Sequence, residues 1–161
     1  MNGSLLVNIV LMYAILIGIN IPASFFGIDF NEEEARQRLW FEPPGYVIPL
    51  AWFVLFTLLG TARYLLLKAH PGTGADWLIL ILAVVCASYA YYTIGLARLT
   101  GVSALWFGLI GNLVVIGLAL VAAYGVGALN ARAGLLILPV ALWTTYATAI
   151  VLGEMRVQGL V

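Results

Sequence analysis

Five long apolar runs, separated by short polar or glycine-rich breaks, make up almost the whole chain. A helix needs about 20 mostly apolar residues to cross a bilayer. The runs predict spans over 5–26, 46–69, 77–99, 102–129 and 133–157. Barrel strands would alternate apolar and polar residues over about ten positions. Stretches such as Leu78-Ile79-Leu80-Ile81-Leu82-Ala83-Val84-Val85 do not alternate. Helices are the remaining way to satisfy every backbone group in lipid. The expected fold is therefore an all-α membrane protein: one transmembrane domain over residues 1–161, a bundle of five transmembrane helices with a long first loop.

The breaks refine this picture. Thr100-Gly101 and Asn130-Ala131-Arg132 are so short that helices 3, 4 and 5 must pack in sequence, antiparallel. Pro71, Gly72 and Gly74 punctuate the second loop. The first loop, 29–42, is the most polar stretch. Asn31 with Glu34 resembles a capping box, and Glu32–Arg36 and Glu34–Arg38 have the favourable i,i+4 order. A short helix is predicted there, either a solvated linker or a lid over one end of the bundle. The large apolar residues Leu39, Trp40 and Phe41 favour the lid, and Pro43-Pro44 fixes the approach to helix 2.

Composition agrees with lipid as the solvent. Hydrophobic residues make up 64% and charged residues 9%, against about 25% charged in soluble domains. The net charge is zero and no basic stretch is long enough to neutralise a run of phosphates, which excludes nucleic acid as a partner. Met1 to Asn20 lacks a basic region, so the first run is expected to be retained as a span. The loop after helix 1, the turn after helix 3 and the C-terminus share one side with Arg36, Arg38, Arg98 and Arg156. The other side holds Arg63, Lys68 and Arg132, a balance too even to set orientation.

Ionisable groups inside a bilayer are usually functional, and here they are nearly absent. Arg63, Lys68, Arg98, Glu154 and Arg156 lie near helix ends, where long side chains reach the interface. The spans offer no relay for ions or protons, and no evident general base, metal site or nucleophile. Cys86 is alone, so neither a disulfide nor a cysteine metal site is expected, and His70 sits in a loop before Pro71. A binding protein is expected rather than an enzyme. The spans carry aromatics instead. Trp52 and Trp143 lie deep, each with an indole N–H to place. Tyr89 and Tyr92 share a helix face. Ala83, Ala87 and Ala90 form a small-residue stripe on helix 3, and Gly108 and Gly111 share a face of helix 4.

The stretch from Trp40 to Ala62 resembles the translocator protein family, the tryptophan-rich sensory proteins or peripheral benzodiazepine receptors. That family has a tryptophan and a Pro-Pro pair at the start of helix 2, then an aromatic-x-Phe-Pro-x-x-Trp run. Trp40, Pro43, Pro44, Tyr46, Pro49 and Trp52 match, with Ile48 in the aromatic place. Helix 5 is also similar, through Pro139, Trp143, Ala147-Thr148 and the closing Arg156, and helix 3 through Tyr89 and Gly95-Leu96-Ala97-Arg98. The resemblance implies an integral, multi-pass protein of a bacterial cell membrane or an organelle membrane. It implies a pocket beneath the first loop for porphyrins, haem or other flat apolar ligands, with no required cofactor. By position, Trp40, Tyr46, Trp52, Tyr89, Trp143 and Ala147 would line that pocket; Trp52 and Trp143 would stack on the guest, and Tyr89 or Tyr146 would offer a hydroxyl. The partners implied are membrane lipid, the planar ligand and a second copy bound through the small-residue face of helix 3.

The chain departs from the family pattern in helix 3, where Cys86-Ala87-Ser88-Tyr89-Ala90-Tyr91 replaces an Asn and a Leu-Trp-x-Pro run. Val151 stands where an Asn is common. The cholesterol pattern fails around Tyr146, because Arg156 is too far along the chain. These departures keep a second reading open: a structural subunit of a larger membrane complex, with the ligand pocket degraded.

Overall fold

A computed structural model of the protein describes residues 3–28 and 38–161. The expected Asn31 cap and the pairs Glu32–Arg36 and Glu34–Arg38 lie outside the described residues. The helices are α1 (Leu5–Phe25), α2 (Val47–Ala69), α3 (Asp76–Ala87), a π-helical segment (Tyr91–Gly95), α4 (Leu96–Thr100), α5 (Ala104–Leu129), α6 (Ala131–Leu135) and α7 (Leu138–Val157). There is no strand among the described residues. Four stretches are long and apolar enough to cross a membrane: α1, α2, α5 and the continuous α6–α7 run. The broken run α3–π–α4 makes the fifth span.

Local chemistry sets the ends. Ser4, Ser103 and Asn130 cap α1, α5 and α6, each side-chain oxygen accepting a backbone N–H of the first turn. Gly101, at φ +73°, closes the third span in the left-handed conformation that a side chain resists.

The third span bends by 55° without a proline. Ser88 accounts for part of this, because its hydroxyl donates back to the Val84 carbonyl (2.8 Å), a bond that bends helices. The π turn accounts for the rest. The Tyr91 N–H bonds to the Ser88 carbonyl (3.0 Å) instead of reaching Ala87. In hydrocarbon an abandoned carbonyl is costly, and α1 takes it up: Asn20 Nδ2 donates to Ala87 O (3.1 Å). Tyr91 Oη returns the tie, donating to Ile19 O (2.9 Å). A polar residue inside the first span is thereby explained.

The spans form a ring in the order first, second, fifth, fourth, third. Gly60 of α2 lies so close to α1 that a Cβ there would stand 2.8 Å from Ile9 Cα. Gly134 of α6 meets α5 as closely, 2.6 Å from Gly127 Cα and Ala123 O. Small residues permit such backbone approach, the usual source of helix adhesion in lipid. Inside the ring lies a core that includes Met12, Phe56, Leu59, Leu66, Ile79, Leu82, Val126 and Ile137.

Ala83, Ala87 and Ala90 are all buried inside the bundle, so this stripe serves packing within the chain. Arg63, expected near a helix end, is held there by two partners. It turns inward, with Nη1 donating to Asn8 Oδ1 (2.6 Å) and Nη2 paired with Asp76 Oδ2 (2.9 Å). The clasp joins the first three spans at one end of the ring.

Candidate functional site

The second and fifth spans touch chiefly at one end. There the Asn130 amide donates to Leu65 O (3.2 Å) and α6 packs on α2. Towards the first loop they diverge, leaving a groove of about 530 Å³. From α2 come Val47, Leu50, Ala51, Val54 and Leu55, and from α7 come Pro139, Leu142, Trp143 and Tyr146. Both sets follow three- and four-residue steps, so each is one face of its helix. The lining is almost wholly apolar, and Leu50, Val54 and Leu142 are open to the surroundings of the bundle. The Trp143 and Tyr146 rings lie 5.6 Å apart, tilted by 54°.

The described end of the first loop is tied to α7 beside the groove. Tyr146 Oη donates to the Phe41 carbonyl (2.6 Å). Leu39 and Phe41 settle on Gly153 of α7, where a Cβ would stand 2.6 Å from Leu39 Cδ1 and 3.3 Å from Phe41 Cζ. This segment packs along the C-terminal part of α7. The residue that makes the contact differs from the expected one, because Trp40 is 94% exposed and touches Phe41 edge-on.

Of the residues expected to form a pocket, the groove brings together Trp143 and Tyr146. Trp52 is half-buried on the core side of α2, edge-on to Phe56 (6.2 Å). Tyr46 is exposed just ahead of α2, and Ala147 is half-buried outside the groove lining. Tyr89 belongs to another neighbourhood. Its ring meets Tyr92 edge-on (5.4 Å, 71°), and its hydroxyl faces Gly108 of α5. The Tyr146 hydroxyl has its proton committed to the loop, so it is not a free donor for a guest. The indole N–H groups of Trp52 and Trp143 donate to none of the described residues.

Sequence reasoning missed the aliphatic wall from Val47 to Leu55. The signal was the three- and four-residue spacing around the Pro49–Trp52 motif, masked by apolar residues on every other face. No group of three or more His, Cys, Asp or Glu side chains suited to a metal occurs among the described residues.

Residues 9–155 match the family described as the TspO/MBR family, nearly the whole chain. No curated protein matches the chain.

Proposed function

The chain belongs to the TspO/MBR family, an integral, multi-pass membrane protein of receptor- or transporter-like function, and from that premise we propose that its α2–α7 groove binds flat apolar ligands of the tetrapyrrole type. The observation that carries this reading is the groove itself, walled by aliphatic side chains and the Trp143 face, with an indole N–H that no described residue engages. A volume of about 530 Å³ falls within the range of about 300–1,000 Å³ usual for small-molecule sites. Aliphatic walls take a planar ring by contact area, and an aromatic face adds stacking.

Titration with protoporphyrin, read by tryptophan fluorescence, tests the proposal. Saturable quenching is expected, with most of it lost in Trp143→Ala. Quenching that survives unchanged in Trp143→Ala and in the double variant with Trp52→Ala refutes this site.

A further inference from the structure

Tyr146 serves two structures at once. Its ring lines the α2–α7 groove, 5.6 Å from Trp143. Its hydroxyl, at the far end of the same rigid ring, donates to the Phe41 carbonyl at 2.6 Å, a contact between residues 105 apart in the chain.

The segment that receives this bond is a closed turn. The Glu42 N–H donates to the Leu39 carbonyl (3.0 Å), and the Glu42 carboxylate accepts from the Leu39 N–H (3.3 Å). Residues 39–42 are thereby held as one unit. Their seat is the bare backbone of Gly153, two helical turns beyond Tyr146 and on the same face of α7. On its other side the turn runs into Pro43-Pro44, whose fixed φ leaves little slack. The Pro44 carbonyl accepts from the N–H of Val47 (2.8 Å), the first residue of α2 and itself a groove residue. One wall of the groove therefore reaches the turn through the covalent chain, and the other reaches it through Tyr146.

From this double engagement we infer that Tyr146 is the positioning residue through which occupancy of the groove and docking of the turn 39–42 control each other. The inference rests on the groove reading above and adds its regulation. Oη lies in the plane of the ring, so the oxygen goes where the ring goes, and a hydrogen bond weakens steeply once it is misaligned. With the groove empty, the ring borders about 530 Å³ of open space and is free to swing off the Phe41 carbonyl. A flat guest packed against Trp143 and Tyr146 takes that freedom away. Occupancy thus strengthens the tie, and by linkage the docked turn strengthens binding by the same factor.

Hydrogen exchange over 39–42 in the full chain, with and without saturating protoporphyrin, tests the coupling. In wild type the guest is expected to slow exchange of the turn by roughly two- to tenfold, the worth of one net hydrogen bond. Tyr146→Phe keeps the ring and loses the tie. In that variant the turn exchanges fast with or without protoporphyrin, and the guest, read by tryptophan quenching, binds more weakly by a matching factor. Gly153→Val unseats the turn from a position outside the groove lining and is expected to weaken binding in the same way. Unchanged exchange of the turn in saturated wild type overturns the inference. So does slowing that persists in Tyr146→Phe, which would mean that the guest touches the turn directly, and so does a Gly153→Val protein whose turn is open and whose affinity is unaltered. Any of these results alongside quenching in wild type sinks this inference alone; absence of quenching in wild type sinks the groove reading with it.

Discussion

Gly111→Ala offers a direct test of how the broken third span is seated. A Cβ at residue 111 would stand 2.2 Å from Tyr92 Cε2 and 3.0 Å from Cδ2 and Cζ. Carbon atoms in contact sit about 3.5–4.0 Å apart, so the ring must retreat by more than about 1 Å. Tyr92 has little room, held edge-on by Tyr89 at 5.4 Å. Overpacking of this kind costs about 1–3 kcal/mol. Replacing glycine by alanine in a helix returns about 1 kcal/mol, so the net loss is about 0–2 kcal/mol. Gly117 on the same helix provides the control, because a Cβ there meets nothing within 4 Å. Propensity cancels between the two variants, leaving a difference of about 1–3 kcal/mol. At roughly 2–4 °C per kcal/mol, their unfolding temperatures should differ by several degrees. The lone thiol of Cys86 is buried in α3, so a thiol-reactive fluorophore reports its exposure on heating. Adding Tyr92→Leu to Gly111→Ala should restore part of the loss in a double-mutant cycle. Equal unfolding temperatures for the two alanine variants would refute the packing described.

Two further perturbations address the ends of the bundle. Tyr146→Phe removes the bond to Phe41 and should cost about 0.5–1.5 kcal/mol, read as faster hydrogen exchange over residues 38–46 with little change in α5; an unaltered loop would contradict the tie. Asp76→Ala leaves the Arg63 guanidinium facing Asn8 alone and should lower stability by about 1–3 kcal/mol, whereas Arg63→Leu/Asp76→Leu should recover much of it, and a double variant no better than the single would show that the clasp is not a pair.

The span positions were legible because length and apolarity suffice to mark a helix in lipid. Facing was not. In water, the apolar side of a helix marks the core; in a bilayer both sides are apolar, so nothing in Val47–Leu55 distinguished the groove wall from the lipid face. The same ambiguity left open whether Ala83, Ala87 and Ala90 pack within the chain or between chains; all three are buried within it. Arg63 looked free to reach the interface because Asp76 and Asn8 come from other spans, and their meeting depends on the ring order. The π turn had no proline to announce it. Only Asn20, an amide in an apolar run, hinted that some backbone group elsewhere needed a donor. The family motif pointed to the α7 face through Trp143 and Tyr146, but its α2 residues Tyr46 and Trp52 lie off the groove, and it grouped with them Tyr89, whose ring lies at the junction of the third and fourth spans.

The hydrogen bonds from Asn20 and Tyr91 fasten the first span to the third at its bend. The second and fifth spans share no such stitching beyond the Asn130 contact at one extremity. The barrel of helices is thus zipped along one side and ajar along another. Away from Asn130, a solute dissolved among the acyl chains finds on this flank two helices that part without breaking a side-chain hydrogen bond among the described residues.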